Sequence, residues 1–374
     1  MLKGLHLTLM VGPAVPQAAS YEVVEALTSV EVRVETKRAS TFQLQFQVSK
    51  QSKLDETFLL AGLSPIPIMR VVIVATVNGQ PNVLIDGVMT NHQYAPAMKG
   101  LSTLTVTGED LTHVMDFQDL SGLPFPALPT FMRVAAIILK YSPLGILPKV
   151  IPNIGFFAPN PLTLIPRQQG TDLAYIRELA KLAGYEFYLE PLSMPGTSAA
   201  YWGPAIKYGE PQPALTMNSD AHSNVESLNF SYDPHKRTMP IVVLQEPTTK
   251  LPIPIPIGDI SPLNPPMGAV IPFPTKFTIY SQGAKLSFAE AAEQGLAMAS
   301  ESANLVSATG TLDVLRYGRV LQARKLVGVR GAGTAFNGTY YVEKVTHKIK
   351  RGEYKQDFEL SRNALVSLSN RVAV

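Results

Sequence analysis

The stretch Gln168-Gln169-Gly170-Thr171-Asp172-Leu173-Ala174-Tyr175-Ile176-Arg177-Glu178-Leu179-Ala180-Lys181-Leu182-Ala183-Gly184-Tyr185-Glu186-Phe187-Tyr188-Leu189 changes its hydrophobic period once. Thr171 can cap a helix whose first turn carries Asp172, where the helix dipole favours negative charge. Leu173, Ile176, Ala180 and Ala183 recur at helical spacing, and Leu179 and Leu182 widen that stripe. Gly184 stands where a left-handed residue ends a helix. Directly after it, Tyr185, Phe187 and Leu189 alternate with Glu186, Tyr188 and Glu190. A helix of about three turns therefore runs straight into a strand.

On both sides of this segment the period is two. Val30, Val32 and Val34 alternate with Glu31, Arg33 and Glu35, and Phe42, Leu44, Phe46 and Val48 alternate with Gln43, Gln45 and Gln47. Such alternation predicts half-buried strands. Met69 to Val77 is almost continuously apolar and β-branched, which predicts a strand covered on both faces. Asn78-Gly79 then reads as a hairpin turn, Val83 to Met89 as the returning strand, and Leu101 to Thr107 as another. At the start, Lys3, an apolar run and Gln17-Ala18-Ala19 weakly resemble a signal peptide, but Leu5, Leu7 and Leu9 alternating with His6 and Thr8 predict a strand. Residues 1–110 read as one antiparallel β unit, a barrel or a sandwich.

Leu120 to Pro166 is rich in Pro and Gly and holds one predicted helix, Phe131 to Tyr141. Past the central helix a second β region begins with strands at Val225–Tyr232 and Ile241–Gln245. The proline-rich 251–275 follows as a linker or loop, expected to be extended, polyproline-II-like or edge structure because proline cannot donate to a ladder. Ser287 and Glu290 form a capping box. It opens a helix to about Ala303, with Phe288, Ala292, Leu296, Ala299 and Ala303 inward. Gly310 to Gly318 reads as a turn-rich bridge. Strands at Val320–Val329, Tyr340–His347 and Tyr354–Leu360, with a hairpin turn at Asn337-Gly338, close the chain. The fold class is mainly β with α (α+β). The expected division is a first β domain over 1–115, a helix-containing middle region over 116–215, and a second β domain over 216–374 that includes the proline-rich loop 251–275 and a helix at 287–304.

Composition narrows the function. The 374 residues carry 32 Lys plus Arg against 29 Asp plus Glu, a formal charge of +3, and no cysteine. The missing cysteines exclude a disulfide scaffold, a thiolate zinc site, an iron–sulfur cluster and a cysteine nucleophile. Near-neutral charge argues against a nucleic-acid partner. Charged residues make up 16%, against about 25% in an average soluble domain. The two most apolar stretches, 131–166 and 240–275, are each interrupted by six or more prolines among the 31 of the chain, so neither runs as a spanning helix. Burial of surface against protein partners is the better account of the low charge.

A catalytic constellation is missing from the pattern. His6, His92, His113, His222, His235 and His347 show no metal-ligand spacing. Neither a G-x-S-x-G elbow nor a P-loop occurs. Gly328-Val329-Arg330-Gly331-Ala332-Gly333 is followed by strand pattern, so it reads as a hairpin connection rather than a dinucleotide fingerprint. Glu109-Asp110 and Glu186 with Glu190 read as solvated strand ends. Lys344, Lys348, Lys350, Arg351 and Lys355 read as a solvated or partner-facing hairpin, and Trp202 as a core or interface residue. No catalytic, cofactor-binding or metal-binding residue is assigned, no cofactor is expected, and the chain is not expected to be an enzyme.

The string Gln168-x-x-Thr171-Asp172-x-x-Tyr175-Ile176-x-x-Leu179-Ala180-x-x-x-Gly184-Tyr185, running into Tyr185–Leu189, resembles a recurrent segment of contractile-tail baseplate hub proteins. These are the phage late control gene D product family and the related VgrG proteins of type VI secretion. Three further stretches agree, in order: Ile85-Asp86-Gly87-Val88 with Leu104 to Asp110; Asn224-Val225-x-x-Leu228-Asn229-Phe230-x-Tyr232-Asp233; and Gly338-Thr339-Tyr340-Tyr341-Val342-x-x-Val345-x-His347 with Gly352-x-Tyr354-x-x-x-Phe358. The resemblance implies two antiparallel, tube-like β-barrels per protomer and a homotrimer forming a pseudo-sixfold ring that adapts the hexameric inner tube to a trimeric spike. The implied partners are the inner tube protein, a spike protein on a separate chain, since no OB-fold or needle follows the closing hairpin, and other baseplate subunits. No nucleic acid and no direct membrane span are implied. Assembly in the bacterial cytoplasm, within a tail-like particle or virion, is expected. Two other function classes compete: a tail-associated cell-wall hydrolase, which needs an acid/base pair in a cleft, and a stand-alone β-rich cell-surface binding module, which would be monomeric.

Overall fold

The computed structural model describes residues 4–13, 15–49, 54, 68–97, 100–153, 159–162, 165–218, 223–245, 249, 251–258, 265–280 and 288–368. The first elements are β1 (Leu5–Pro13), β2 (Gln17–Ala18), α1 (Tyr21–Ala26), β3 (Leu27–Glu35), β4 (Thr41–Val48), β5 (Met69–Val77), β6 (Gln80–Ala95) and β7 (Ser102–Asp110). The middle holds α2 (Thr130–Leu139), β8 (Ile146–Val150), α3 (Asp172–Ala183), β9 (Glu186–Pro191), β10 (Ser198–Gly203) and β11 (Gln212–Thr216). The last part holds β12 (Val225–Tyr232), β13 (Thr238–Gln245), β14 (Pro252–Pro256), β15 (Lys276–Tyr280), α4 (Phe288–Ser302), β16 (Val306–Asp313), β17 (Leu326–Arg330), β18 (Gly338–Lys350) and β19 (Glu353–Arg362).

Period-two sequence becomes one 13-stranded sheet in the order β12-β16-β19-β18-β3-β4-β7-β6-β5-β1-β2, with β17 and β11 branching from β18. Every neighbouring pair from β12 to β6 is antiparallel. This run divides into two four-strand units with one topology. Both β3-β4-β7-β6 and β12-β16-β19-β18 place their strands in the chain order first, second, fourth, third, and the units meet at the β3–β18 pair. The irregularities recur too. The first strand of each unit carries a bulge near its start, between Leu27 and Ser29 and between Val225 and Ser227. The third-in-sequence strand of each carries one midway, between Met89 and Asn91 and between Val342 and Lys344. Bulges fix register because each shifts one residue against its partner. Matching bulges therefore align the units residue by residue, Leu27 with Val225, Phe46 with Leu312, Leu104 with Gln356 and Asn91 with Lys344.

The inward residues of both units share one core, including Val30, Val32, Phe42, Leu44, Phe46, Leu104 and Val106 with Leu228, Leu312, Val345, Ile349, Tyr354, Phe358 and Leu360. Strand glycines make room for rings. A Cβ on Gly108 would stand 2.4 Å from the ring of Phe42, and one on Gly310 would stand 2.6 Å from that of Phe358. Asn78 and Gly79 both have positive φ, 50° and 80°, the turn their dipeptide predicts between β5 and β6. Arg70 on β5 and Asp86 on β6 form a buried two-pronged ion pair, at 2.7 and 2.6 Å. Arg70 also donates to the Gly196 carbonyl at 2.8 Å, tying the sheet to the β9–β10 turn.

A second core fills the middle region, where α2, α3 and the sheet β8-β10-β9 enclose Val134, Ile137, Ile176, Leu179, Phe187 and Trp202. The motif around α3 is its framework. The Thr171 hydroxyl accepts from the Ala174 amide at 3.2 Å and donates to Asp116 at 2.5 Å. Buried Asp172 accepts from Gln168 and Tyr141, both at 2.8 Å, and from Lys140 at 3.2 Å. The Tyr175 hydroxyl accepts from Arg133 at 2.6 Å. Gly184 is left-handed at φ 68°, and a Cβ there would lie 2.7 Å from the Cβ of Ala297 on α4. The conformation and the close approach both require glycine.

Several expectations are corrected. Gly310 to Gly318 is not a bridge. Gly310 lies within β16, and Val314–Tyr317 forms one helical turn capped by Asp313. The strand expected from Val320 is confined to Leu326–Arg330. Asn337-Gly338 is not a two-residue turn: Asn337 has φ −63°, and the helical turn Gly333–Phe336 precedes it. Tyr188 does not face solvent, because Arg324 stacks on its ring at 3.9 Å. The proline-rich 251–275 does hold the edge structure expected of it, the strand Pro252–Pro256. The capping-box residue Ser287 and the side chain of Glu290 lie outside what is described.

Candidate interaction face

Alternation puts the core on one side of the two units and a continuous polar surface on the other. Across β6, β7 and β4 that surface is rich in amides and hydroxyls, with Asn91 and Gln93, then Thr103, Thr105 and Thr107, then Gln43, Gln45 and Gln47, and it carries a carboxylate at Glu109 near the end of β7. Ser29 donates to Gln45 at 2.9 Å. Across β18, β19 and β12 it is zwitterionic, with pairs Lys344–Glu359 at 2.7 Å, Lys348–Asp357 at 2.5 Å and Lys355 with Glu226 at 3.0 Å and Glu353 at 3.2 Å. Burial pushes the Asp357 carboxyl up, but hydrogen bonds from Lys348 and Thr311 hold it below its ordinary range. The basic hairpin is thus ion-paired at Lys344, Lys348 and Lys355.

The two ends of this surface differ from its middle. In the middle, β18 continues past its bulge and pairs Lys344–Lys350 with Glu35–Ser29 of β3. At one end, β6 likewise continues past its bulge. Its β5 partner stops opposite Val88, and Thr90 to Ala95 are exposed. At the other end, β12 is the terminal strand, with Tyr232 at 37% exposure. Tyr94 of the β6 extension is 46% exposed, on the side where its β7 partner Leu104 enters the core.

The middle region is locked to both units behind this face. Arg324, buried and left-handed at φ 64°, donates to the Glu35 carbonyl at 2.5 and 3.2 Å and to the Leu189 carbonyl at 3.0 Å. Beside it, Tyr341 donates to Glu186 at 3.1 Å, while Glu343 accepts from Thr36 at 2.9 Å and Asn304 at 3.2 Å. Burial, then the nearby Glu343 charge, raises the Glu186 carboxyl to about 7, against the pull of Tyr341, Arg324 and Lys207. A carboxyl raised on folding binds its proton more tightly in the folded state. Its contribution is fully present below the ordinary value of 4.5 and is lost as pH rises through about 7. The loss is at most on the order of 3 kcal/mol. Glu186→Gln is expected to raise the denaturant midpoint at pH 8 and leave it nearly unchanged at pH 4. Equal effects at both values would refute this assignment.

Other residues marked in the sequence fall into structural places. Asp110 is not solvated: it accepts from the Ser40 amide at 2.6 Å and the Thr112 amide at 3.0 Å, while Glu109 lies beside His113 at 3.4 Å. Glu186 is no solvated strand end either. His347 is buried, held by Tyr354 at 2.9 Å, and burial alone pushes its imidazole down to about 3. Trp202 is fully buried, edge-on to Tyr185 at 4.7 Å. His222 lies outside the described residues. Gly328–Gly333 joins β17 to one helical turn and then β18. Among the described residues no group of three His, Asp or Glu side chains could hold a metal ion, and no helix is long and apolar enough to cross a membrane. Sequence patterns did not reveal Arg324 or the exposed β6 extension. A lone arginine outside any element carries no periodic signal, and Thr90 to Ala95 continues a strand without a break.

No protein-family model and no curated protein matches the sequence. Solved structures do match in fold. A tail protein from Neisseria meningitidis MC58 aligns with TM-score 0.64 and 13% identity, over 96% of this chain and 97% of that one. The 43 kDa tail protein of prophage MuSo2 from Shewanella oneidensis aligns at 0.61 and 12%, over 96% and 98%. A chain of the lidless PdpA–VgrG complex aligns at 0.62 and 8%, over 99% and 67%. This chain therefore has the fold of phage tail proteins and of VgrG-containing assemblies, as the α3 motif leads one to expect.

Proposed function

We propose that this chain is the structural hub of a contractile injection system or phage tail: a homotrimer that joins a hexameric inner tube to a trimeric spike. The observation that carries it is the tandem pair of four-strand units. Three protomers supply six such units, matching sixfold symmetry on one side. The middle region and the proline-rich sheet occur once per protomer, giving threefold symmetry on the other. In this reading residues 1–115 and 216–374 are two barrel-like domains, and 116–215 is the region between them. The polar face lines the passage. The chain does no covalent chemistry, and it works inside a tail-like particle assembled in the bacterial cytoplasm with tube, spike and other baseplate subunits.

The in-chain joint supplies the geometry of the joint between protomers. The β18–β3 pairing, carried over by the bulge alignment, sets the β6 extension of one protomer against β12 of the next. Gln93 then faces Ser231, exposed Tyr94 faces half-buried Phe230 and exposed His92 faces Tyr232, so the aromatic groups cover one another. Opposed strand residues lie within disulfide reach. Because the chain has no cysteine, Gln93→Cys with Ser231→Cys can cross-link only at these positions. Mild oxidation is expected to give a covalent trimer on a denaturing gel, and light scattering a native mass near three times 40.6 kDa, alone or with the spike protein. A monomer with and without spike sinks the proposal.

A further inference from the structure

Among the described residues the proline-rich sheet β14-β13-β15 has one blocked edge and one open edge. Ile257 N–H donates to the Pro240 carbonyl at 2.9 Å, so the backbone of Ile253, Ile255 and Ile257 points toward β13. The backbones of Pro252, Pro254 and Pro256 therefore point outward, and that edge presents no N–H. Such an edge cannot accept a further strand in register. On β13, Pro240, Val242 and Leu244 point to β14, so Met239, Ile241 and Val243 point to β15. In a parallel ladder Ile241 bonds to the residues flanking its partner Ile279. Thr278 and Tyr280 thus face β13, and Phe277 and Ile279 direct their N–H and C=O groups away from the sheet.

The side chains match this opening. Phe277 is 61% and Ile279 67% exposed, both on the face away from the Val242 side that packs against Gly295 of α4. Among the described residues β15 pairs with β13 alone. The described strands of this sheet carry Lys276 and no carboxylate, and Arg237 stands beside them, bonded to the Pro272 carbonyl at 2.6 Å.

We propose that β15 is a docking edge for an extended segment of another protein, which adds as a fourth strand, apolar at alternate positions and bearing a carboxylate near Lys276. Main-chain bonds to Phe277 and Ile279 supply affinity, and the two exposed side chains select the alternating pattern. The prolines on the opposite edge leave one direction of growth. This inference does not depend on the trimer.

The probe is a fluorescein-labelled heptapeptide, Asp-Val-Thr-Val-Thr-Val-Thr, read by anisotropy against the full chain. Binding is expected. It should weaken at least about tenfold, or 1.4 kcal/mol, when alternate peptide amides are N-methylated. The same loss is expected in Ile279→Pro, which removes one outward N–H and leaves the β13 ladder intact. Ile279→Val should bind as the parent chain does, and a melting temperature for Ile279→Pro close to the parent's separates a blocked edge from a misfolded sheet. No binding, or equal binding by the methylated peptide, overturns the proposal. So does an Ile279→Pro-sensitive rise in mass with concentration, which would assign the edge to a second copy, or Ile279→Pro-sensitive binding to phosphatidylcholine vesicles, which would assign it to lipid.

Discussion

Asp86→Ala is expected to lower folding stability by about 3–5 kcal/mol, because it leaves the buried guanidinium of Arg70 without its carboxylate. Both ends of the pair are almost fully excluded from water, at 4% and 0% side-chain exposure. The Gly196 carbonyl remains within 2.8 Å of Arg70 but carries only a partial charge. Arg70→Met should be milder than Asp86→Ala, since a flexible apolar chain fills the space and the orphaned carboxylate can protonate. The double variant should recover part of the loss. Guanidinium unfolding of the four proteins closes the cycle. A loss below about 1 kcal/mol for Asp86→Ala would mean that water reaches the pair.

Arg324→Ala is expected to cost about 3 kcal/mol or more, from unpaired buried carbonyls and a lost cation–π contact. The carbonyls belong to Glu35 at the end of β3 and Leu189 within β9, and the ring to Tyr188. One side chain thus joins the first unit, the middle region and the second unit. Arg324→Lys should restore little, because an ammonium cannot bond both carbonyls and stack on the ring at once. The readout is the urea midpoint together with the rate at which protease cuts the β9–β10 turn. A midpoint shift without faster cleavage would mean that the middle region is held mainly by other contacts.

Much of the fold was legible because burial writes a period into sequence. β3, β4 and β7 follow the alternation in their sequences, β6 returns from the Asn78-Gly79 turn, and α3 begins and ends where Thr171 and Gly184 say. The β16 strand was hidden by Gly310, a turn signal in isolation, which is present because the Phe358 ring occupies the space a side chain would need. The tandem repeat was legible only through the family resemblance. Aligned positions have exchanged volume: Phe42 beside Gly108 in the first unit corresponds to Ala308 beside Leu360 in the second. Equal total volume preserves packing while erasing identity. The open edges were not legible at all, since whether a strand has a neighbour depends on contacts far away in the chain.

The unlike chemistry of the two polar sectors has an electrical consequence. In the proposed ring, amide and hydroxyl sectors alternate with ion-paired sectors, so the wall potential repeats three times per turn although the strands repeat six times. Paired charges have short-ranged fields, and salt damps even unpaired ones within about 8 Å. A polypeptide or other cargo on the axis would then meet an almost neutral bore whatever its own charge, and only a segment sliding along the wall would feel the threefold ripple.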